Sequence, residues 1–138
     1  MRIVLDTNIL VAALLKKGTA YRLLQYALKS DRFDIVSASK QMEELKSVLN
    51  KKFPNVLQKS EVGTFINLFR QAAIMVRPQR VNLSPDPDDN IILGIALAGK
   101  AEYLVTTDKA DLLALKKVKT TKIVHLSAFI KQVSRYGR

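Results

Sequence analysis

The 138-residue sequence contains no cysteine. A disulfide framework, a thiol nucleophile and a zinc site with thiolate ligands are therefore all excluded. No apolar run reaches the roughly 18 residues of a membrane span, and the N-terminus lacks the pattern of a signal peptide. We therefore expect a soluble cytoplasmic protein with no membrane association.

Repeats, low-complexity segments and long linkers are also lacking. A chain of 138 residues is long enough to bury roughly two thirds of its unfolded surface and to form a full core. The sequence therefore predicts a single domain over residues 1–138. The single histidine, His125, lies on a predicted strand and favours a structural role over a catalytic one.

Acidic residues are scarce, with 12 Asp and Glu against 23 Lys and Arg, and the formal net charge is +11. A basic surface of this size attracts polyanions, most often nucleic acid. Two alternatives stay open on charge alone, namely simple solubility and an acidic protein partner.

The few acids are concentrated in short segments. Eight of the twelve lie at four places: Asp6; Glu43 and Glu44; Asp86, Asp88 and Asp89; Asp108 and Asp111. An acidic cluster in an otherwise basic chain is typical of a hard-cation site within a surface that attracts anions.

Short β-rich runs alternate with helical patterns along the chain. The predicted strands cover residues 2–6, 33–38, 74–78, 101–107 and 121–126. Helices are predicted over residues 7–15, 39–52 and 60–73, the last with Ser60 as its N-cap, and Ser127 is the predicted cap of the final helix. This alternation predicts an α/β sandwich with a mainly parallel central sheet of about five strands. Ligands of such folds bind beyond the carboxyl ends of the strands. Asp6 and Asp108 each follow a predicted strand, so both should lie at that edge.

Asp6 has two interpretations that local sequence does not separate. It separates the apolar run "RIVL" from "ILVAALL", as either a helix N-cap or a reactive carboxylate would. Thr7 could cap the helix equally well. Asp108 after "YLVTT" has the same two interpretations, with Asp111 in the following turn. Asn8 and Thr106 are polar neighbours that could orient the carboxylates or hold water.

Helical phase separates the remaining acids. Asp86 before Pro87 is a standard helix start, and Asp88 fits in the first turn. Asp89 instead continues the apolar stripe of Ile92, Leu93 and Ala96. A carboxylate on this inward face needs a partner, because burying it unpaired is costly. A metal ion would serve, and so would Arg or Lys.

Glu43 and Glu44 lie in a helix whose buried face is defined by Met42, Leu45 and Val48. Glu44 lies at the rim of that face and Glu43 farther toward solvent. Glu44 is therefore the one expected to reach a cleft.

The motifs "VLDTNIL", "EELKSVL", "DPDDNIILGIALAGKAEYLVTTD" and "VHLSAFI" together resemble the PIN-domain family. They are most similar to its bacterial and archaeal VapC-like toxins of toxin–antitoxin systems. The resemblance covers nearly the whole chain. It implies a three-layer α/β/α sandwich and a metal-dependent ribonuclease. The four acidic positions of the family match Asp6, Glu44, Asp89 and Asp108, with Asn8 and Thr106 as supporting polar residues.

The resemblance also implies a cofactor and partners. The cofactor would be Mg²⁺ or Mn²⁺, which prefer oxygen ligands. The substrate would be single-stranded RNA, the protein partner a cognate antitoxin, and the assembly a homodimer. The spacing in "TTDKADLL" departs from the family pattern, so membership of Asp111 in the site stays open, as does that of Asp86. Gly94 stands where a larger residue is common, which predicts a looser helix.

Two other function classes compete with the ribonuclease. A signalling receiver module is also α/β, but it would have paired acids after the first strand, where Asp6 stands alone. A phosphatase with two aspartates there is disfavoured because position 8 is Asn. A PIN-fold protein that binds nucleic acid without catalysis remains open, although all four acids are present.

Overall fold

The computed structural model describes residues 1–107 and 110–136, the last two of these without their side chains. The strands are β1 (Arg2–Leu5), β2 (Asp34–Ser37), β3 (Ile74–Met75), β4 (Tyr103–Thr106), β5 (Lys117–Val118) and β6 (Thr121–His125). The helices are α1 (Thr7–Leu15), α2 (Thr19–Lys29), α3 (Ser39–Lys52), α4 (Lys59–Ala72), α5 (Pro87–Ala98), α6 (Ala110–Leu115) and α7 (Leu126–Tyr136).

The strands form one sheet in the order β3-β2-β1-β4-β6-β5. Every neighbouring pair is parallel except β5 with β6. The predicted mainly parallel sheet is therefore confirmed. A sixth strand, the two-residue β5, was not predicted. The order also differs from the 2-1-3-4-5 order of receiver modules, so the receiver interpretation is wrong.

Helices cover both faces of the sheet because alternate strand residues point to opposite sides. Ile3 and Leu5 pack in a core with α1, α2, α3 and α7, whereas Val4 between them packs in a second core with α5 and α6. The architecture is therefore a three-layer α/β/α sandwich, as predicted.

Gly94 is required by a close backbone approach. The amide of Gln79, in the segment after β3, donates to the Gly94 carbonyl oxygen at 3.0 Å, and a Cβ at position 94 would collide with the Gln79 carbonyl oxygen. The helix α5 runs through Gly94 without interruption. The prediction of a loosened helix is therefore wrong, because the missing side chain makes room for this contact.

None of the helices within residues 1–107 and 110–136 is both long enough and apolar enough to cross a membrane.

Candidate active site

The site lies where the strand order of the sheet reverses. β1 and β4 are parallel neighbours, with Leu5 paired to Val105, and the chain proceeds outward from them in opposite directions. Beyond the carboxyl ends of such a pair a crevice forms, because the connecting segments diverge to either side. Asp6 follows β1 directly, and its amide donates to the Val105 carbonyl oxygen at 2.9 Å.

Asp6 occupies the N-cap position of α1, but its carboxylate makes no capping hydrogen bond. Its Oδ2 lies 2.8 Å from the Oγ1 of Thr106, at the end of β4. Asp6 is 3% exposed and Thr106 is fully buried. The carboxylate is therefore directed across the sheet edge, where it accepts a hydrogen bond from Thr106, rather than onto the helix amides.

A buried network holds the turn that carries Asp6 against α3. Gln41 Nε2 donates to the Leu5 carbonyl oxygen at 2.7 Å, and Gln41 Oε1 accepts from Ser37 Oγ at 2.6 Å. Both side chains are buried. Because Gln41 precedes Glu44 by about one helical turn, this network fixes the position of Glu44 relative to Asp6.

Asp89 is held from the segment that precedes α5. Asp86 caps the helix by accepting from the amide of Asp88 at 2.9 Å, with Pro87 in the first turn, as predicted. Asp89 is 3% exposed, and its Oδ2 accepts from Ser84 Oγ at 2.9 Å. The inward orientation predicted for Asp89 is therefore confirmed.

Asn90 holds the segment before α5 in place. Its Oδ1 accepts from the amides of Leu83 and Ser84, and its Nδ2 donates to the Ser84 carbonyl oxygen. This clamp fixes the backbone of Ser84 and with it the hydroxyl that orients Asp89.

One small cavity brings the candidate acids together. Its volume is about 120 Å³, and its lining comprises Asp6, Asn8, Glu44, Val48, Lys52, Asp88, Asp89 and Ile92. Glu44 is half-buried there, whereas Glu43 is exposed and does not line it. The helical phase that separated the two glutamates is therefore confirmed.

Two further candidate acids, Asp86 and Asp111, do not line this cavity. Asp86 serves the helix start, and Asp111 is exposed on α6. Asp108 lies outside the described residues. His125 Nδ1 accepts from the amide of Ser127 at 3.1 Å, a local contact at the start of α7 that agrees with a structural role.

Four residues of the site were not identified from sequence in these roles: Ser37, Gln41, Lys52 and Ser84. Gln41 precedes Leu45 by four residues and so lies on the buried face of α3, where a polar side chain needs a partner. The helical position of Gln41 could therefore have identified it as a buried polar residue from sequence. Ser84 gave none, because its role depends on how the segment before α5 folds back. Asp88, interpreted only as part of a helix start, also lies at the cavity rim.

The donors around the cavity suit a hard cation. Asp6, Glu44 and Asp89 supply carboxylate oxygens and Asn8 an amide oxygen, the ligand types that Mg²⁺ and Mn²⁺ prefer. In the part of the chain that the structure describes, no group of three or more Asp, Glu or His side chains is placed to hold a metal ion together. Mg²⁺ usually keeps several waters and is bound via one or two carboxylates, so a site with fewer than three direct carboxylate ligands would still fit it.

A model of the PIN-domain family matches residues 2–110, most of the chain. The chain belongs to the PIN-domain family. PIN-domain proteins are generally nucleases, and those nucleases generally use divalent metal ions. The matched range of this PIN domain includes Asp6, Glu44 and Asp89. No curated protein matches the chain.

Among solved structures, the PIN domain is similar to VapBC2 from Rickettsia felis, solved bound to a DNA fragment from its promoter. The match has a TM-score of 0.59 and 19% sequence identity, and it covers 91% of this chain and 98% of the other. At this identity the likeness establishes the fold.

Proposed function

We propose that this PIN domain is a metal-dependent endoribonuclease that hydrolyses phosphodiester bonds in single-stranded RNA. One observation carries the proposal. Asp6, Glu44 and Asp89 line a single cavity at the switch point of the sheet, in a chain whose net charge is +11. Acids at the site would hold a cation, and the basic surface would attract the polyanion to be cleaved.

Asp6, Glu44 and Asp89 are the residues that would hold Mg²⁺ or Mn²⁺, one or two of them directly and the rest through bound water, and the resemblance adds Asp108 to this set. A bound ion of this kind lowers the pKa of a coordinated water and neutralises charge that builds on the phosphate. Thr106 and Ser84 keep the Asp6 and Asp89 carboxylates directed into the cavity. Because these orientations exist before substrate binds, little reorganisation is needed during the reaction.

The reaction is an in-line hydrolysis. A water oxygen bonds to phosphorus while the bond from phosphorus to one ribose oxygen breaks, and that oxygen leaves with a proton taken from solvent. A carboxylate at the cavity accepts the proton of the attacking water. Lys52, at the rim of the same cavity, supplies a positive charge for a phosphate oxygen.

The wider role follows from the resemblance to VapC-like toxins and the similarity of the fold to VapBC2. We infer that the protein is the toxin of a toxin–antitoxin pair, held inactive by a cognate antitoxin and able to form a homodimer. It would act on cytoplasmic RNA as one PIN-like domain over residues 1–138.

The proposal is tested by incubating the purified protein with single-stranded RNA, duplex RNA and single-stranded DNA of one sequence. We expect cleavage of the single-stranded RNA alone, with Mg²⁺ or Mn²⁺ and not with EDTA, and loss of cleavage in Asp89→Asn. RNA binding without cleavage by the folded wild type would instead identify a non-catalytic binding protein. Cleavage that persists in EDTA would refute the metal dependence.

A further inference from the structure

Two larger grooves continue from the acidic cavity across the protein surface. The first, the middle groove, has a volume of about 540 Å³ and shares Glu44, Val48, Lys52 and Asp88 with the acidic cavity. The second, the basic groove, has a volume of about 560 Å³ and shares Lys40 and Ile91 with the middle groove. The three form one continuous path between α3 and α5.

Charge changes sign along this path. Among the described residues, the lining of the acidic cavity has three aspartate or glutamate side chains besides Asp88 and one cation, Lys52. In the part of the middle groove that the structure describes, cations and acids are equal in number, three of each. The described lining of the basic groove has three cations, Lys40, Arg77 and Arg80, and no acid. All three of these cations are exposed.

The backbone of the basic groove is held in a fixed place relative to the acids. The Val76 amide donates to the Ser37 carbonyl oxygen at 2.9 Å, and the Gln79 amide donates to the Gly94 carbonyl oxygen at 3.0 Å. These bonds join the segment that carries Arg77 and Arg80 to β2 and to α5, which presents Asp89. The distance between the arginines and the acidic site is therefore set by the fold.

The geometry points to a binding subsite for the RNA strand beyond the cleaved bond, in which Lys40, Arg77 and Arg80 contact its phosphates. This inference rests on the proposed ribonuclease function and adds where the strand lies. RNA suits the path because arginine binds phosphate in a bidentate manner, and because Pro78, Val81 and Ile91 provide apolar surface for bases or riboses. An acidic protein would also match the charge of the basic groove, and it is the alternative outcome of the binding test.

The test is RNA binding by an Arg77→Ala/Arg80→Ala variant. A labelled single-stranded RNA of about 12 nucleotides, within the span of known single-strand sites, is titrated and followed by fluorescence anisotropy. All proteins carry Asp89→Asn, so that the RNA stays intact. We expect the Kd to rise roughly tenfold. The slope of log Kd against log salt concentration should decrease by about 1.4, because two phosphate contacts are lost.

The matched control is Arg22→Ala/Lys29→Ala. It also removes two exposed cations, but from α2, which lines none of the three cavities. This control should retain most of the affinity.

The possible failures are distinguishable. Equal losses in the arginine variant and the α2 control would mean that RNA responds only to net charge, and the subsite would be refuted. An unchanged Kd in the arginine variant would also refute the subsite. It would favour an acidic protein as the ligand of the basic groove. Either result could occur while Asp89-bearing protein still cleaves RNA. A specific loss of binding without cleavage in the Asp89-bearing protein would support the subsite and refute the ribonuclease.

Discussion

Asp6 shows how one position can have two roles. Its carbonyl oxygen accepts from the amide of Ile9 at 2.9 Å and so begins α1, while its buried carboxylate contacts Thr106 instead of capping the helix. Sequence alone could place Asp6 at the end of a strand and name Asn8 and Thr106 as polar residues near the acids. It could not choose between the two roles, because the choice depends on a side chain that lies 100 residues away in the chain.

Asp86 and Asp89 lie at the same helix start but have different surroundings. Asp86 caps the helix, whereas Asp89 lines the acidic cavity. Replacing Asp86 by Asn keeps an oxygen that can accept from the Asp88 amide but removes a charge favourable to the helix dipole. We expect a loss of at most about 1 kcal/mol in the free energy of unfolding, with RNA cleavage retained. Urea denaturation and a cleavage assay on the variant check this. Loss of cleavage in a folded Asp86→Asn protein would place Asp86 in the site.

At the scale of elements, α1 and α3 begin and end at the predicted residues. The apolar residues of α3 follow helical spacing, whereas α1 is apolar along most of its length. The start of α4 differs from the prediction. Ser60 was the predicted cap, but Gln58 is the N-cap and forms a capping box with Glu61. Ser127 was also a predicted cap and instead lies inside α7. Cap positions are less predictable than helices because neighbouring polar residues can each supply the hydrogen bond.

Two helical glycines give a matched prediction for α5 and α4. Gly94→Ala would force a Cβ into the Gln79 carbonyl, and we expect a loss of about 1–3 kcal/mol from overpacking. Gly63→Ala meets no atom within 4 Å and should gain about 0.5–1 kcal/mol from better helix propensity. Urea denaturation of both variants measures the difference. Equal stability of the two variants would contradict the close approach of the Gln79 segment to α5.

For the whole molecule, parallel strands bring residues from distant parts of the sequence to one sheet edge. The sequence predicted a site at this edge and placed Asp6, Glu44 and Asp89 near it, because strand ends and helical phase can be recognised from neighbouring residues. It did not predict the supporting hydrogen bonds of Gln41 and Ser84, which depend on tertiary packing. The path from acidic cavity to basic groove was likewise not predicted, since Arg77 and Arg80 meet Lys40 only through the fold.

Metal binding should raise the stability of the whole molecule. Carboxylates that share the cavity repel one another without a cation, and a metal that binds only the folded state adds about 1.4 kcal/mol at ten times its Kd. We therefore expect Mg²⁺ or Mn²⁺ to raise the Tm of the wild type, and Asp6→Asn to abolish most of that shift. Thermal melts with metal or EDTA measure both. An equal shift in Asp6→Asn would place the metal site elsewhere.

The most direct test of the acidic site compares two adjacent glutamates on α3. Glu44 lines the cavity and Glu43 does not, and replacing either by Gln keeps the shape of the side chain while removing its charge. Single-turnover cleavage of single-stranded RNA with Mg²⁺ or Mn²⁺ should fall roughly a hundredfold or more in Glu44→Gln. It should stay near the wild-type rate in Glu43→Gln, with melting curves showing both variants folded. An inactive Glu43→Gln beside an active Glu44→Gln, or normal cleavage by both, would contradict the assignment of the catalytic site to this cavity.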